Sequence, residues 1–183
     1  MAEDIPTYEQ VFESFNGVFK VIDLMDASYR MYDNNFLMKY YQNRGVKLRD
    51  IFIHDMLNWL CFLGWGDAHI DVNEVMFINE LLKLNLTQLD VLDIVKNIKP
   101  NDLTTLPVTF AIFMEYKEVS GSDTKIVDAL YSSFAIAGTY FIACDGDINK
   151  NEVMGLDLYL ENLRVNIQTF NIDSLHDYML ENI

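Results

Sequence analysis

The chain is poor in cysteine and in basic residues, and each shortage excludes a class of protein. Two cysteines among 183 residues are too few for a disulfide-stabilised secreted scaffold, so we expect reduced thiols and a cytoplasmic protein. Lys and Arg number 13 against 28 Asp and Glu, which gives a net charge of −15. Phosphate backbones repel such a chain, so no nucleic-acid binding is expected. We expect a protein partner, and that partner should be basic.

Long apolar runs are also absent. No charge-free apolar stretch reaches about 18 residues, so we expect no membrane span, and any membrane association would run through a partner. The acidic start of the chain, Met1 to Pro6, lacks the basic and apolar regions of a signal peptide. Hydrophobic residues nevertheless make up 51% of the sequence, which excludes a disordered chain.

Motifs of known catalytic chemistry are missing as well. The sequence contains no Gly-x-Ser-x-Gly, no phosphate-binding loop and no dinucleotide fingerprint. Its three histidines, His54, His69 and His176, are scattered and lack zinc-ligand spacing. We therefore expect a protein that is not an enzyme.

The sequence contains helical periodicity and no strand-like alternation. Thr7 and Gln10 have the spacing of a helix-capping box, and apolar residues then recur at three- and four-residue steps. Similar patterns continue along the chain and predict an all-α, compact bundle of about eight helices. Residues 124–144 contain few charges and several small side chains, so we expect them to form the central helix.

We expect a single domain with three parts. Residues 1–45 form an N-terminal helical extension, residues 46–165 a duplicated core of two pseudo-repeated helical halves, and residues 166–183 a C-terminal helix. The duplication rests on one stretch that occurs twice, Asp67 to Met76 and Asp145 to Met154, at an offset of 78 residues. Each copy follows an apolar run and precedes an amphipathic one.

Part of the repeated stretch has the chemistry of a helix start. Asp71 with Glu74, and Asn149 with Glu152, have the spacing of an N-cap residue and its reciprocal partner. On this interpretation each copy is a helix corner, and the isoleucine it contains seats the loop in the core.

The acidic density of the two loops allows a second interpretation. Hard cations such as Ca²⁺ bind clustered oxygen ligands. An EF-hand that begins at Asp145 would require Gly and Glu where Lys150 and Leu156 stand, so that form of calcium site is excluded. A cation site that is not an EF-hand is therefore the alternative to the capping interpretation.

The segment Ala143 to Glu152 reads Ala-Cys-Asp-Gly-Asp-Ile-Asn-Lys-Asn-Glu, and it resembles the corresponding motif of the TerB-like family of tellurite-resistance and co-chaperone proteins. The resemblance covers about residues 48–165. It implies an all-α fold of two helical halves and a bacterial stress-response or scaffold role. It also implies a divalent cation, Ca²⁺ or Mg²⁺, at the two loops. The implied ligands are Asp145, Asp147 and Glu152 in one loop and Asp67, Asp71 and Glu74 in the other.

These patterns lead to two functional hypotheses. The first is a non-enzymatic acidic scaffold or stress-response module that acts through protein–protein interaction and binds a divalent cation at its corners. The alternative is an acidic inhibitor or immunity-type protein that neutralises a basic toxin or nuclease through complementary charge.

Overall fold

The computed structural model contains eight α-helices within the residues that it describes. The structure describes residues 5–28, 35–64, 70–98, 105–120 and 125–175. The helices are α1 (Tyr8–Asp26), α2 (Phe36–Gln42), α3 (Leu48–Gly64), α4 (Val72–Leu82), α5 (Gln88–Asn97), α6 (Val108–Ser120), α7 (Lys125–Phe141) and α8 (Lys150–Gln168). No strand occurs in the described ranges. The predicted all-α bundle of about eight helices is therefore confirmed.

The predicted C-terminal helix is described only at its start. Residues 172–175 form a helical turn, and residues 176–183 lie outside the described part of the chain. None of the described helices is both long and apolar enough to cross a lipid bilayer.

Helix α3 is the hub of the bundle. It packs against α1, α4, α5, α6, α7 and α8, whereas α7 packs against α1, α3, α6 and α8. Trp59, Leu60 and Cys61 on α3 are fully buried. The prediction that residues 124–144 form the central helix was therefore wrong, because buried apolar residues cover most of the circumference of α3 and pack against six other helices.

Small residues bring α7 close to its neighbours. A Cβ atom added at Gly138 would lie 2.8 Å from Leu156 Cδ1 on α8 and 3.1 Å from Leu63 Cδ1 on α3. Helices α3, α7 and α8 thus meet at a point where an added methyl group would force the surrounding side chains to shift. This contact joins the helix before each repeated loop to the helix that follows the second loop.

The N-terminal helix belongs to the same core. Val11, Phe15 and Ile22 on α1 are buried and lie in one hydrophobic cluster that extends to Leu163 on α8. The ring of Phe15 lies 5.7 Å from that of Phe52 on α3. The N-terminal extension is therefore packed into the bundle rather than appended to it.

Three helices begin at a carboxylate that another helix supplies. Asp26 at the end of α1 accepts hydrogen bonds from the first N–H groups of α3, and Glu115 on α6 accepts from those of α2. Asp55 on α3 accepts from the Thr109 N–H in the first turn of α6 at 2.7 Å. A carboxylate satisfies N–H groups that have no partner within the helix and suits the positive end of the helix dipole. Some of the acidic residues of the chain thus stabilise the fold as helix caps.

Candidate functional site

The first repeated corner is a complete capping box at the start of α4. The Asp71 side chain accepts a hydrogen bond from the Asn73 N–H at 2.7 Å, and the Glu74 carboxylate accepts from the Asp71 N–H at 2.6 Å. Glu74 is buried. The predicted capping role of these two residues is confirmed. Asp67 lies outside the described residues.

The second corner repeats this arrangement at the start of α8. Asn149 accepts from the Asn151 N–H at 2.8 Å, and buried Glu152 accepts from the Asn149 N–H at 3.4 Å. Asp145 Oδ1 accepts from the Asp147 N–H at 2.9 Å and so closes the turn around Gly146, whose φ is +86°. The capping prediction is confirmed here too, and the turn also uses the Asp145 carboxylate.

The two corners act on the same thiol. Burial first, then the negative charges of Glu74, Asp145 and Asp71, raise the pKa of Cys144 to about 12. The first corner therefore lies within electrostatic range of the second. Among the described residues, however, no three His, Cys, Asp or Glu side chains are placed to hold a metal ion. The cation site at Asp145, Asp147, Glu152, Asp71 and Glu74 stays a prediction.

The two corners differ in how they seat their isoleucine. Ile70 is 3% exposed and packs against Gly64 at the end of α3, whereas Ile148 is 49% exposed. The expectation that both isoleucines enter the core was wrong for Ile148. The second corner therefore presents an apolar side chain to solvent immediately before α8.

Helix α8 also exposes apolar side chains. Met154 and Leu158 are 60% and 62% exposed, and Val165 is exposed as well. At about 100° per residue these three side chains fall within about 40° of one another around the helix axis. We call these three the outer face of α8. Exposed Glu161 lies on the same side of the helix, between Leu158 and Val165. The opposite side of the helix packs into the bundle through Leu156, Tyr159 and Leu163.

The first corner lacks an equivalent surface of this length. Val72 and Met76 on α4 are exposed, and Met76 is the counterpart of Met154. The counterpart of Leu158 is Glu80, and α4 ends at Leu82. The extended apolar face is therefore a property of the second copy alone.

The sequence of α8 already indicates this face, because the helix has apolar residues on a second side. Val153, Leu156 and Leu160 already form one apolar side of α8, so Met154, Leu158 and Val165 are apolar residues in excess of what that side requires. Apolar residues on two opposite sides are typical of a helix that is buried or that presents one side to a partner.

Comparison with known proteins identified no relative. No protein-family model, no curated protein and no solved structure matched this chain significantly.

Proposed function

We propose that this chain is a non-enzymatic, TerB-like scaffold or stress-response module that binds a basic amphipathic segment of a protein partner on the outer face of α8. The observation that carries the proposal is the aligned exposure of Met154, Leu158 and Val165 on one side of a packed helix, with exposed Glu161 between Leu158 and Val165. Single exposed apolar side chains are common on soluble proteins, but an aligned set is typical of interaction surfaces. Methionine suits such a surface because its flexible thioether adapts to different partners.

The length of the face supports a helical partner. From Met154 to Val165 the outer face extends over 11 residues, or about 16 Å at 1.5 Å per residue. A partner helix that places apolar side chains at three- and four-residue steps would cover it over about three turns. Ile148 at the second corner would extend the contact at one end.

The charge of the chain supports a basic partner. Exposed acidic residues at or beside the face outnumber basic ones, Asp145, Asp147, Asp157 and Glu161 against Lys150 and Arg164, and the whole chain has a net charge of −15. Two copies of this chain would repel each other, so the same charge disfavours a homodimer through this face. A partner segment with lysines flanking its apolar residues would satisfy both the face and its surroundings.

The test uses a labelled helical peptide of about 18 residues in which leucines form one face and lysines the other. Fluorescence anisotropy measures its affinity for the wild-type chain and for Leu158→Glu, which places the residue of the first copy at this position. We expect the substitution to weaken binding at least about tenfold, equivalent to about 1.4 kcal/mol. Leu24→Glu on α1 is the matched control, because Leu24 is also a well-exposed leucine on a helix but lies elsewhere.

Two results would overturn the proposal. One is equal affinity of the Leu158→Glu and Leu24→Glu variants for the peptide. The other is equally tight binding of a matched peptide in which every lysine is glutamate, because the proposal requires complementary charge.

The inhibitor or immunity hypothesis draws support from the same net charge. It requires a complex held mainly by charge, with an affinity that falls steeply as salt is raised. Binding through the outer face of α8 adds an apolar component that salt does not screen. Raising NaCl from about 50 to 500 mM should therefore abolish a charge-only complex and weaken this one only in part.

A further inference from the structure

A cleft of about 550 Å³ lies between α3 and α5, beside the start of α6. Its walls include His54, Asp55 and Asn58 from α3 and Asp93 and Asn97 from α5. A second cavity of about 670 Å³ shares His54, Asp55, Asn58 and Pro107 with it. Both volumes fall within the range of small-molecule sites in proteins. We call the two together the α3–α5 cleft.

The polar groups of the cleft interrupt an otherwise apolar helix. His54, Asp55 and Asn58 stand between the buried residues Phe52 and Trp59 of α3. Positions separated by four residues share one side of a helix, so His54 and Asn58 face the cleft together. Asp93 and Asn97 are related in the same way on α5, where the Asn97 amide donates to the Asp93 carbonyl oxygen at 2.7 Å.

The charged groups of the cleft have one sign. Asp55 and Asp93 line the first cavity and Asp50 lines the second, and no Lys or Arg appears among the described residues of either wall. Asp93 forms an ion pair with Lys96 at 3.0 Å, but both side chains are more than 70% exposed. Such a surface pair contributes little energy, and another cation can replace Lys96 at the carboxylate.

The remaining wall is apolar. Leu57 on α3 and Ile94 and Ile98 on or beside α5 contribute aliphatic surface, and Pro107 closes the side toward α6. Trp59 and Tyr159 stack with ring centroids 3.7 Å apart and line the same cavity. This part of the cleft suits a hydrocarbon chain, whereas the carboxylates suit a cationic head group.

We propose that the α3–α5 cleft binds an organic cation, with its ammonium or guanidinium group at the carboxylates and its apolar portion against Leu57, Ile94 and Pro107. Two sources have this chemistry, a free alkylamine or polyamine and the Lys or Arg side chain of a peptide. This site is separate from the outer face of α8 and involves none of its residues.

Titration calorimetry with n-hexylammonium tests the proposal, with n-hexanol as the neutral ligand of matched shape. We expect hexylammonium to bind and hexanol to bind at least about tenfold more weakly. In the amide NMR spectrum, hexylammonium should shift the side-chain NH₂ signals of Asn58 and Asn97. Equal affinity for the two ligands, or binding that leaves both amide signals unmoved, would overturn the proposal.

Substitution at the edge of the cleft supplies an independent test. Asp93 is exposed, so Asp93→Asn should fold normally and weaken hexylammonium binding by about three- to tenfold. Glu13→Gln on α1 removes the same charge from an exposed site outside the cleft and should leave the affinity unchanged. If both variants lose affinity equally, the ligand responds to net charge alone and the assigned site is wrong.

Two further ligands identify the source of the cation. Spermidine represents free polyamines, and a short acetylated peptide with a single lysine represents a protein side chain. Tighter binding of spermidine assigns the cleft to small molecules, and tighter binding of the peptide assigns it to a partner chain. Measuring both on the Leu158→Glu variant separates this site from the outer face of α8, because that substitution should leave both affinities unchanged.

Discussion

The Asp55 carboxylate on α3 accepts a hydrogen bond from the backbone N–H of Thr109 at 2.7 Å, and it thereby caps α6 from a neighbouring helix. Burial raises the pKa of Asp55 to about 6, while hydrogen bonds from Thr109 and Val108 and the nearby His54 imidazole lower it. The carboxylate that fixes the start of α6 also lines the α3–α5 cleft. One side chain therefore links the packing of two helices to the electrostatics of a cavity.

The raised pKa of Asp55 makes the stability of the fold depend on pH. The folded chain retains a proton on Asp55 that the unfolded chain releases above about pH 4. The contribution of this group to stability is therefore fully present below about pH 4 and is lost as the pH rises through about 6. In Asp55→Asn this dependence is absent because an amide does not ionise.

Urea unfolding of the wild type and of Asp55→Asn at pH 7 and pH 4.5 measures this effect. We compare the difference in free energy of unfolding between the wild type and the variant at the two pH values. This difference should shift by about 2 kcal/mol in favour of the wild type on going from pH 7 to pH 4.5, at about 1.4 kcal/mol per pKa unit. Other carboxylates cancel in the difference between the two proteins. If the difference in free energy of unfolding between the two proteins is the same at both pH values, or shifts in favour of the variant at pH 4.5, the assigned pKa is wrong.

The two capping boxes should differ in strength. Glu74 accepts from its N-cap N–H at 2.6 Å, whereas Glu152 does so at 3.4 Å, beyond the usual range for such a bond. We predict that Glu74→Ala lowers the free energy of unfolding by about 1–3 kcal/mol and Glu152→Ala by less. Thermal or urea unfolding of the two variants side by side is the measurement. A larger loss for Glu152→Ala would show that the geometry of the box does not decide its energy.

Helix corners were predictable from sequence because their partners are close in the chain. Asn149 and Glu152 are three residues apart, and their hydrogen bonds depend on local geometry alone. Asp55 and Thr109 are 54 residues apart, and no pattern in the sequence pairs them. His54, Asp55 and Asn58 do interrupt the apolar run of α3, which marks the position of a polar site without identifying its other wall.

The motif alone could not predict that Ile148 is exposed, because the deciding neighbour lies outside the motif. Ile70 packs against Gly64, whose missing side chain leaves room for it. The residue equivalent to Gly64 in the second copy, 78 positions later, is the buried Ile142. The second corner therefore has no glycine at this position. The difference between the corners lies in a neighbour outside the repeated motif, so identical motif residues have different environments.

Because three helices approach closely at Gly138, a single methyl group added there should lower the free energy of unfolding. The Cβ of Gly138→Ala would lie 2.8 Å from Leu156 Cδ1 and 3.1 Å from Trp59 Cζ2. Overpacking usually costs about 1–3 kcal/mol and better helix propensity returns about 0.5–1 kcal/mol, so we expect the free energy of unfolding to fall by up to about 2.5 kcal/mol. Gly17→Ala on α1 is the matched control, because nothing lies within 4 Å of its added Cβ. That control should gain about 0.5–1 kcal/mol from better helix propensity.

The cation prediction at the two corners has its own test. Calorimetric titration of chelator-treated protein with Ca²⁺ and Mg²⁺ should give heat if the corners bind a divalent ion, and the Asp145→Asn/Asp147→Asn double variant should abolish it. If millimolar metal gives no heat and no change in melting temperature, the cation prediction is wrong and the two corners serve as helix caps. The double variant should then lose only the small stabilisation that the Asp145 side chain gives its turn.

The central claim is that a partner binds the outer face of α8, and the methionine methyl groups of the two corners test it most directly. Met154 and its counterpart Met76 are similarly exposed, at 60% and 54%, so each reports on its own copy of the repeat. In a ¹³C-methyl NMR titration with the leucine–lysine peptide, the Met154 methyl signal should shift and saturate while the Met76 signal stays in place. A saturating shift of Met76 equal to that of Met154, or peptide binding that leaves Met154 unmoved, would contradict the account.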